Sequence, residues 1–139
     1  MNRITFIILL ISCISFFLFM AISITIYKIN QKKMDKIIEL YIEKGFYLPS
    51  GVYTSHHMGI QGHIYPAIFF YRLLTGKRMI INRPDSKYMY QEYYDFIQSL
   101  PSHLTHWIKI YFITINIGGT CFFISTVTGL CLKYSYLLN

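Results

Sequence analysis

The sequence predicts an all-α membrane protein, with two transmembrane helices flanking a small helical, partly interfacial middle region. Residues 4–27 (ITFIILLISCISFFLFMAISITIY) and 110–132 (IYFITINIGGTCFFISTVTGLCL) contain no Asp, Glu, Lys or Arg. Each run exceeds the roughly 20 residues a helix needs to cross a hydrocarbon core of about 30 Å. Helix is the form expected there, because lipid offers no water to pair backbone amides. Between the runs, apolar residues recur at helical spacing and are punctuated by Gly and Pro. The chain therefore divides into a first transmembrane helix (residues 4–27), a polar helical middle region (28–105) and a second transmembrane helix (106–132).

The elements follow in order. Residues 29–44 (INQKKMDKIIELYIEK) carry Ile29, Lys33, Ile37, Leu40 and Tyr41 at helical spacing, so the first helix is expected to continue out of the membrane and stop at Gly45. Residues 46–63, with Pro49, Gly51, Gly59 and Gly62, read as an irregular loop. Residues 64–74 (IYPAIFFYRLL) form a short apolar helix, with Pro66 tolerated in its first turn and Gly76 at its exit. It is too short to span, and is expected either buried or laid in the interface with Tyr65, Tyr71 and Arg72 at headgroup level. Residues 77–84 form a basic connector, and Asp85 or Ser86 is placed to cap a helix running to about Leu100. Tyr90, Tyr93, Tyr94, Phe96 and Ile97 give that helix a broad aromatic face. Pro101 ends it, and Ser102 is a candidate N-cap for the last helix. Trp107 and Tyr111 on one side, with Tyr134 and Tyr136 on the other, are expected as an aromatic belt.

The net charge is +7, and ten of the 13 Lys and Arg lie between Lys28 and Lys87. Lys28, Lys32, Lys33 and Lys36 directly follow the first apolar run, so the positive-inside bias puts the middle region in the cytoplasm and both termini on the opposite side. Topology and anionic headgroups account for this charge, and no nucleic-acid partner is expected.

No chemistry of a known enzyme class is spelled out. Cys13, Cys121 and Cys131 all sit in the apolar runs, without a CxxC or zinc spacing, so they read as small packing residues. Leu10-Ile11-Ser12-Cys13 has the form of a lipoprotein cleavage box. The chain stays apolar long after Cys13, however, and an uncleaved signal anchor fits better. His56, His57, His63, His103 and His106 match no metal-binding signature, Ser50, Ser55 and Ser86 lie in no nucleophile elbow, and the glycines form no phosphate cradle. No catalytic, cofactor-binding or metal-ligating residue is assigned, and the protein is expected not to be an enzyme and to need no cofactor. In the second run Cys121, Ser125 and Gly129 recur every four residues, a small-residue stripe suited to close helix packing on the first helix or on a second copy. Asn116, Thr120 and Thr128 are candidates for interhelical hydrogen bonds.

The string Gly51-Val52-Tyr53-Thr54-Ser55-His56, preceded by residues 35–42 (DKIIELYI) and followed by the aromatic helix ending in Tyr71-Arg72 and by Tyr94-Asp95-Phe96-Ile97, resembles the universal stress protein B family. These are small bacterial inner-membrane proteins with two terminal transmembrane helices. The chain departs from that pattern by extra residues at 43–50 and 75–88 and by lacking a run of arginines before the second membrane helix. The resemblance implies a cell inner membrane protein, multi-pass, associated with stationary-phase or envelope stress resistance through a membrane partner or a bilayer effect. It implies for Gly51, Thr54, Ser55 and His56 a structural or partner-facing turn. The lipid bilayer, and a membrane protein or a homodimeric copy, are the partners expected. An immunity-type protein that blocks a pore-forming toxin is the alternative with the same small, basic, aromatic composition.

Overall fold

The computed structural model describes residues 3–59, 62–81 and 86–137, with side chains through Tyr134 in the last helix. Five helices follow in order: α1 (Arg3–Glu43), α2 (Ser50–His57), α3 (Ile64–Leu74), α4 (Gln91–Ser99) and α5 (Ser102–Leu137). Among the described residues the fold is all-helical, with a single antiparallel bridge between Ile80 and Tyr88. At about 1.5 Å per residue, the 41 residues of α1 reach about 60 Å, twice a hydrocarbon core. Both α1 and α5 are long and apolar enough to cross a membrane. The chain forms two units, residues 1–25 with 113–139, and residues 26–112.

In the first unit the apolar surface points outward. Ile4 is 67% exposed and Phe123 68%, and Ile11, Ile14, Phe17, Ile113 and Leu130 are exposed as well. Among the less exposed residues of α1, Leu9, Ser12, Phe16, Phe19 and Ser23 step along the helix. Alternating steps of three and four keep one narrow seam facing a partner helix. That partner is α5. The Phe16 and Phe122 rings lie 5.1 Å apart, and a Cβ at Gly118 would meet Phe19 at 3.4 Å and one at Gly129 would meet Leu9 at 3.8 Å. Polar side chains here serve their own helix: Ser23 Oγ donates to the Phe19 and Met20 carbonyls, Thr120 Oγ1 to Asn116 and Thr128 Oγ1 to Ile124. The hydroxyls of Thr120 and Thr128 thus bond back along α5 rather than across to a neighbour, as Ser and Thr do in apolar surroundings.

The second unit is built around Tyr41. Its ring is within 6.5 Å of Phe46, Phe69, Phe70, Tyr93 and Phe96, centroid to centroid. Met34, Ile37, Phe70, Leu73 and Ile97 are fully buried with it. The buried stripe of α1 here is Met34, Ile37, Ile38 and Tyr41, while Ile29 is exposed. α1 ends as expected: Gly45 adopts φ 75°, and Phe46 N donates to the Tyr41 carbonyl, closing the helix in the left-handed conformation that glycine takes at low cost. α3 occupies residues 64–74 and is buried through Pro66, Ala67, Phe69, Phe70 and Leu73; of its candidate headgroup residues, Tyr65 and Arg72 are exposed and Tyr71 stacks on Phe112 at 3.7 Å.

Three expectations are corrected. Residues 46–63 are not wholly irregular, since α2 occupies 50–57: Pro49 precedes its first turn, where a missing N–H costs nothing, and its carbonyl accepts from Val52 and Tyr53. α4 begins at Gln91 rather than at 85 or 86; Asp85 and connector residues 82–84 lie outside the described residues. The stretch before it is extended instead, with Met89 N donating to the Met79 carbonyl and Ile81 N to the Lys87 carbonyl. Ser102 is the first residue of α5, and the Pro101 carbonyl takes the capping role by accepting from Leu104 N.

Candidate functional site

The residues singled out in the Gly51 to His56 string lie on helix α2, not in a turn. Gly51 and Thr54 are exposed there. Ser55 Oγ donates to the Val52 carbonyl, and the Ser55 carbonyl meets the backbone of Gly62 so closely that a Cβ at 62 would overlap it. His56 Nε2 stands 3.0 Å from Asp35 Oδ1, tying α2 to α1. Its Nδ1 is buried with no protein partner. The short string is thus a helix pinned near its C-terminal end by two adjacent residues, His56 through an imidazole–carboxylate pair and Ser55 through its contact with Gly62.

The second set is a ring cluster that the sequence reading divided between a loop and a membrane belt. Tyr27 of α1, His63 at the head of α3, and Trp107 and Tyr111 of α5 are all buried. The His63 ring is 5.1 Å from Tyr27 and 5.8 Å from Tyr111, and Trp107 is 6.0 Å from Tyr27. Trp107 and Tyr111 are therefore interior residues of the 26–112 unit rather than an outward-facing belt. Tyr134 is exposed, and Tyr136 lies outside the described side chains. Burial holds the His63 imidazole below its ordinary value of 6.5, which favours the neutral ring. Trp107 Nε1 and Tyr111 Oη are buried without a protein partner, each costing about 1–3 kcal/mol unless a polar guest satisfies it. The cluster offers donors and π-faces but no nucleophile or fixed charge.

The third is a cleft of about 410 Å³ between α2, α3 and the extended segment after α3, lined by Val52, Ile68, Met79 and Arg72 among others. A second cleft, of about 430 Å³, lies beside Arg78, Tyr88 and Tyr94. There the Arg78 guanidinium sits 4.7 Å over the Tyr88 ring.

The five histidines do not converge. The His56 and His57 rings are 5.5 Å apart, His63 belongs to the aromatic cluster, and His103 and His106 are exposed at the start of α5. Among the described residues no three His, Cys, Asp or Glu side chains gather where they could hold a metal ion. In the apolar stripe, Cys121, Ser125 and Gly129 are half-buried, with Gly129 against Leu9 of α1. The aromatic face expected on α4 is largely spent inside: Tyr93, Tyr94 and Ile97 are buried, and only Tyr88 and Tyr90 keep substantial exposure among the large apolar residues of 88–97. No family model, no curated protein and no solved structure matches this chain.

Proposed function

We propose that the chain is a non-enzymatic integral protein of a bacterial inner membrane. Residues 4–27 and 106–132 span the bilayer, the helical middle lies in the cytoplasm and both termini face the periplasm. The observation that carries this reading is the outward-facing apolar surface of both long helices: only 6% of the most apolar window of α1 and 17% of that of α5 is buried. The core helix of a water-soluble protein hides such a surface, because exposed apolar area costs about 25 cal/mol per Å² in water. Lipid removes that cost. The Lys28, Lys32, Lys33 and Lys36 cluster supports the cytoplasmic placement of the middle.

The role in stationary-phase or envelope stress survival rests on the resemblance carried by residues 51–56. The middle unit then acts by contact, through the exposed side of α2, on a membrane partner or on the bilayer. Replacing Thr54, Ser55 and His56 together by Ala should abolish stress protection while leaving membrane insertion intact. Unchanged survival would remove the stress role.

A further inference from the structure

The cleft between α2, α3 and the segment after α3 combines apolar walls with a single guanidinium. On α3, Tyr65, Ile68 and Arg72 are spaced i, i+3 and i+7, so they stand on one face and share the cleft. Val52 of α2 and Met79 close its sides and are buried. Tyr65 (62% exposed) and Ile80 (60% exposed) form an apolar rim open to the surroundings. Arg72 lines the same space, and among the described residues it has no acidic partner: the ion pairs there are Lys36 with Glu39 and His56 with Asp35. The neighbouring cations are engaged differently, Lys77 5.9 Å over the Tyr71 ring and Arg78 over Tyr88. A guanidinium offers five N–H donors in a planar fork suited to a phosphate or carboxylate.

We propose that this cleft binds one anionic phospholipid of the surrounding membrane, its phosphate on Arg72 and part of an acyl chain along Val52, Ile68 and Met79. The volume is within the range of small-molecule sites. An acyl chain brings no polar group that the apolar walls would leave unsatisfied, whereas a peptide brings backbone amides that must be paired. The inference rests on the bilayer reading, which supplies the lipid.

The test uses the full chain in phosphatidylcholine nanodiscs containing a phosphatidylglycerol probe with a photoactivatable diazirine in its tail, followed by mass mapping of the labelled peptides. Label is expected on residues 64–74 and 77–81. In Arg72→Gln it should fall about tenfold, the scale of one charge-assisted hydrogen bond. Arg72→Lys should retain most of it and Lys77→Gln all of it. The matching phosphatidylcholine probe should label residues 110–132 but not the cleft. Equal cleft labelling by both probes, undiminished labelling in Arg72→Gln, or a cleft crosslinked only to a second copy of the chain would overturn the proposal. Label on residues 110–132 with an unlabelled cleft defeats this inference alone. Absence of label from 110–132 removes the bilayer reading as well.

Discussion

The phenol of Tyr94 holds the backbone of Met79, accepting a hydrogen bond from Met79 N at 2.9 Å while donating to the Lys77 carbonyl at 3.2 Å. One side chain of α4 thereby fixes the segment that follows α3. Gln98 Nε2 adds a third bond from α4, to the Leu73 carbonyl. Tyr94→Phe leaves the buried Met79 N–H without its acceptor and should lower stability by about 1–3 kcal/mol in denaturant titration of the detergent-solubilised protein. Tyr53→Phe, on an exposed ring, should stay within about 0.5 kcal/mol of the parent.

Gly62 and Gly119 should respond to alanine with opposite signs. A Cβ at 62 would overlap the Ser55 carbonyl, which is backbone and cannot move aside, while a Cβ at 119 meets nothing within 4 Å. Gly62→Ala should therefore destabilise by about 1–3 kcal/mol or more. Gly119→Ala, within α5, should be neutral or stabilise by up to about 1 kcal/mol. Thermal melts of the two variants side by side check both.

Acidification should loosen the 26–112 unit through His63. Its folded-state pKa lies below the ordinary 6.5, so the unfolded chain takes up a proton that the buried ring refuses. This part of the stability is complete above about pH 6.5 and is lost as the pH falls through the folded value. The rings facing it are the phenols of Tyr27 and Tyr111, and neither supplies a negative charge near neutral pH. His63→Gln should flatten the drop in melting temperature between about pH 7.5 and about pH 5.5. An unchanged slope would place the acid sensitivity elsewhere.

Asp35 and His56 make a pair whose carboxylate is half exposed. Water screens such a pair, so a double-mutant cycle with Asp35→Asn and His56→Gln should give a coupling of no more than about 1 kcal/mol. A larger coupling would mean that the pair organises α2 beyond its own contact.

The sequence pattern located what backbone chemistry dictates. α3 was legible at both ends, because Pro66 fits only a first turn and the stop before Gly76 follows a run that is apolar but for Arg72. The continuation of α1 to its stop at Gly45 was legible for the same reason. α2 was missed because Pro49, Gly51, Gly59 and Gly62 count as breakers in a window, yet Pro49 and Gly59 flank the helix and Gly62 serves a contact with Ser55 that no local rule contains. The start of α4 was misplaced because residues 87–89 pair with residues 79–81 across a connector, a tertiary effect. Tyr93, Tyr94, Trp107 and Tyr111 show the deepest limit. An aromatic stripe has the same spacing whether it faces a core, a partner or a headgroup layer, and only the packing of α1, α3, α4 and α5 residues around them distinguishes these. Arg72 read only as a headgroup-level residue of α3, because its place in a cleft depends on Val52 and Met79, which lie far from it in the sequence.

On the proposed reading, residues 4–27 and 106–132 cross a bilayer with the middle unit inside. Single cysteines at Thr54 and Tyr134, both exposed, in a background lacking Cys13, Cys121 and Cys131, can be labelled in intact cells with a membrane-impermeant thiol reagent. Labelling is expected at position 134 in intact cells and at position 54 only after permeabilisation. Labelling of position 54 in intact cells, or equal behaviour at the two positions, would contradict that reading.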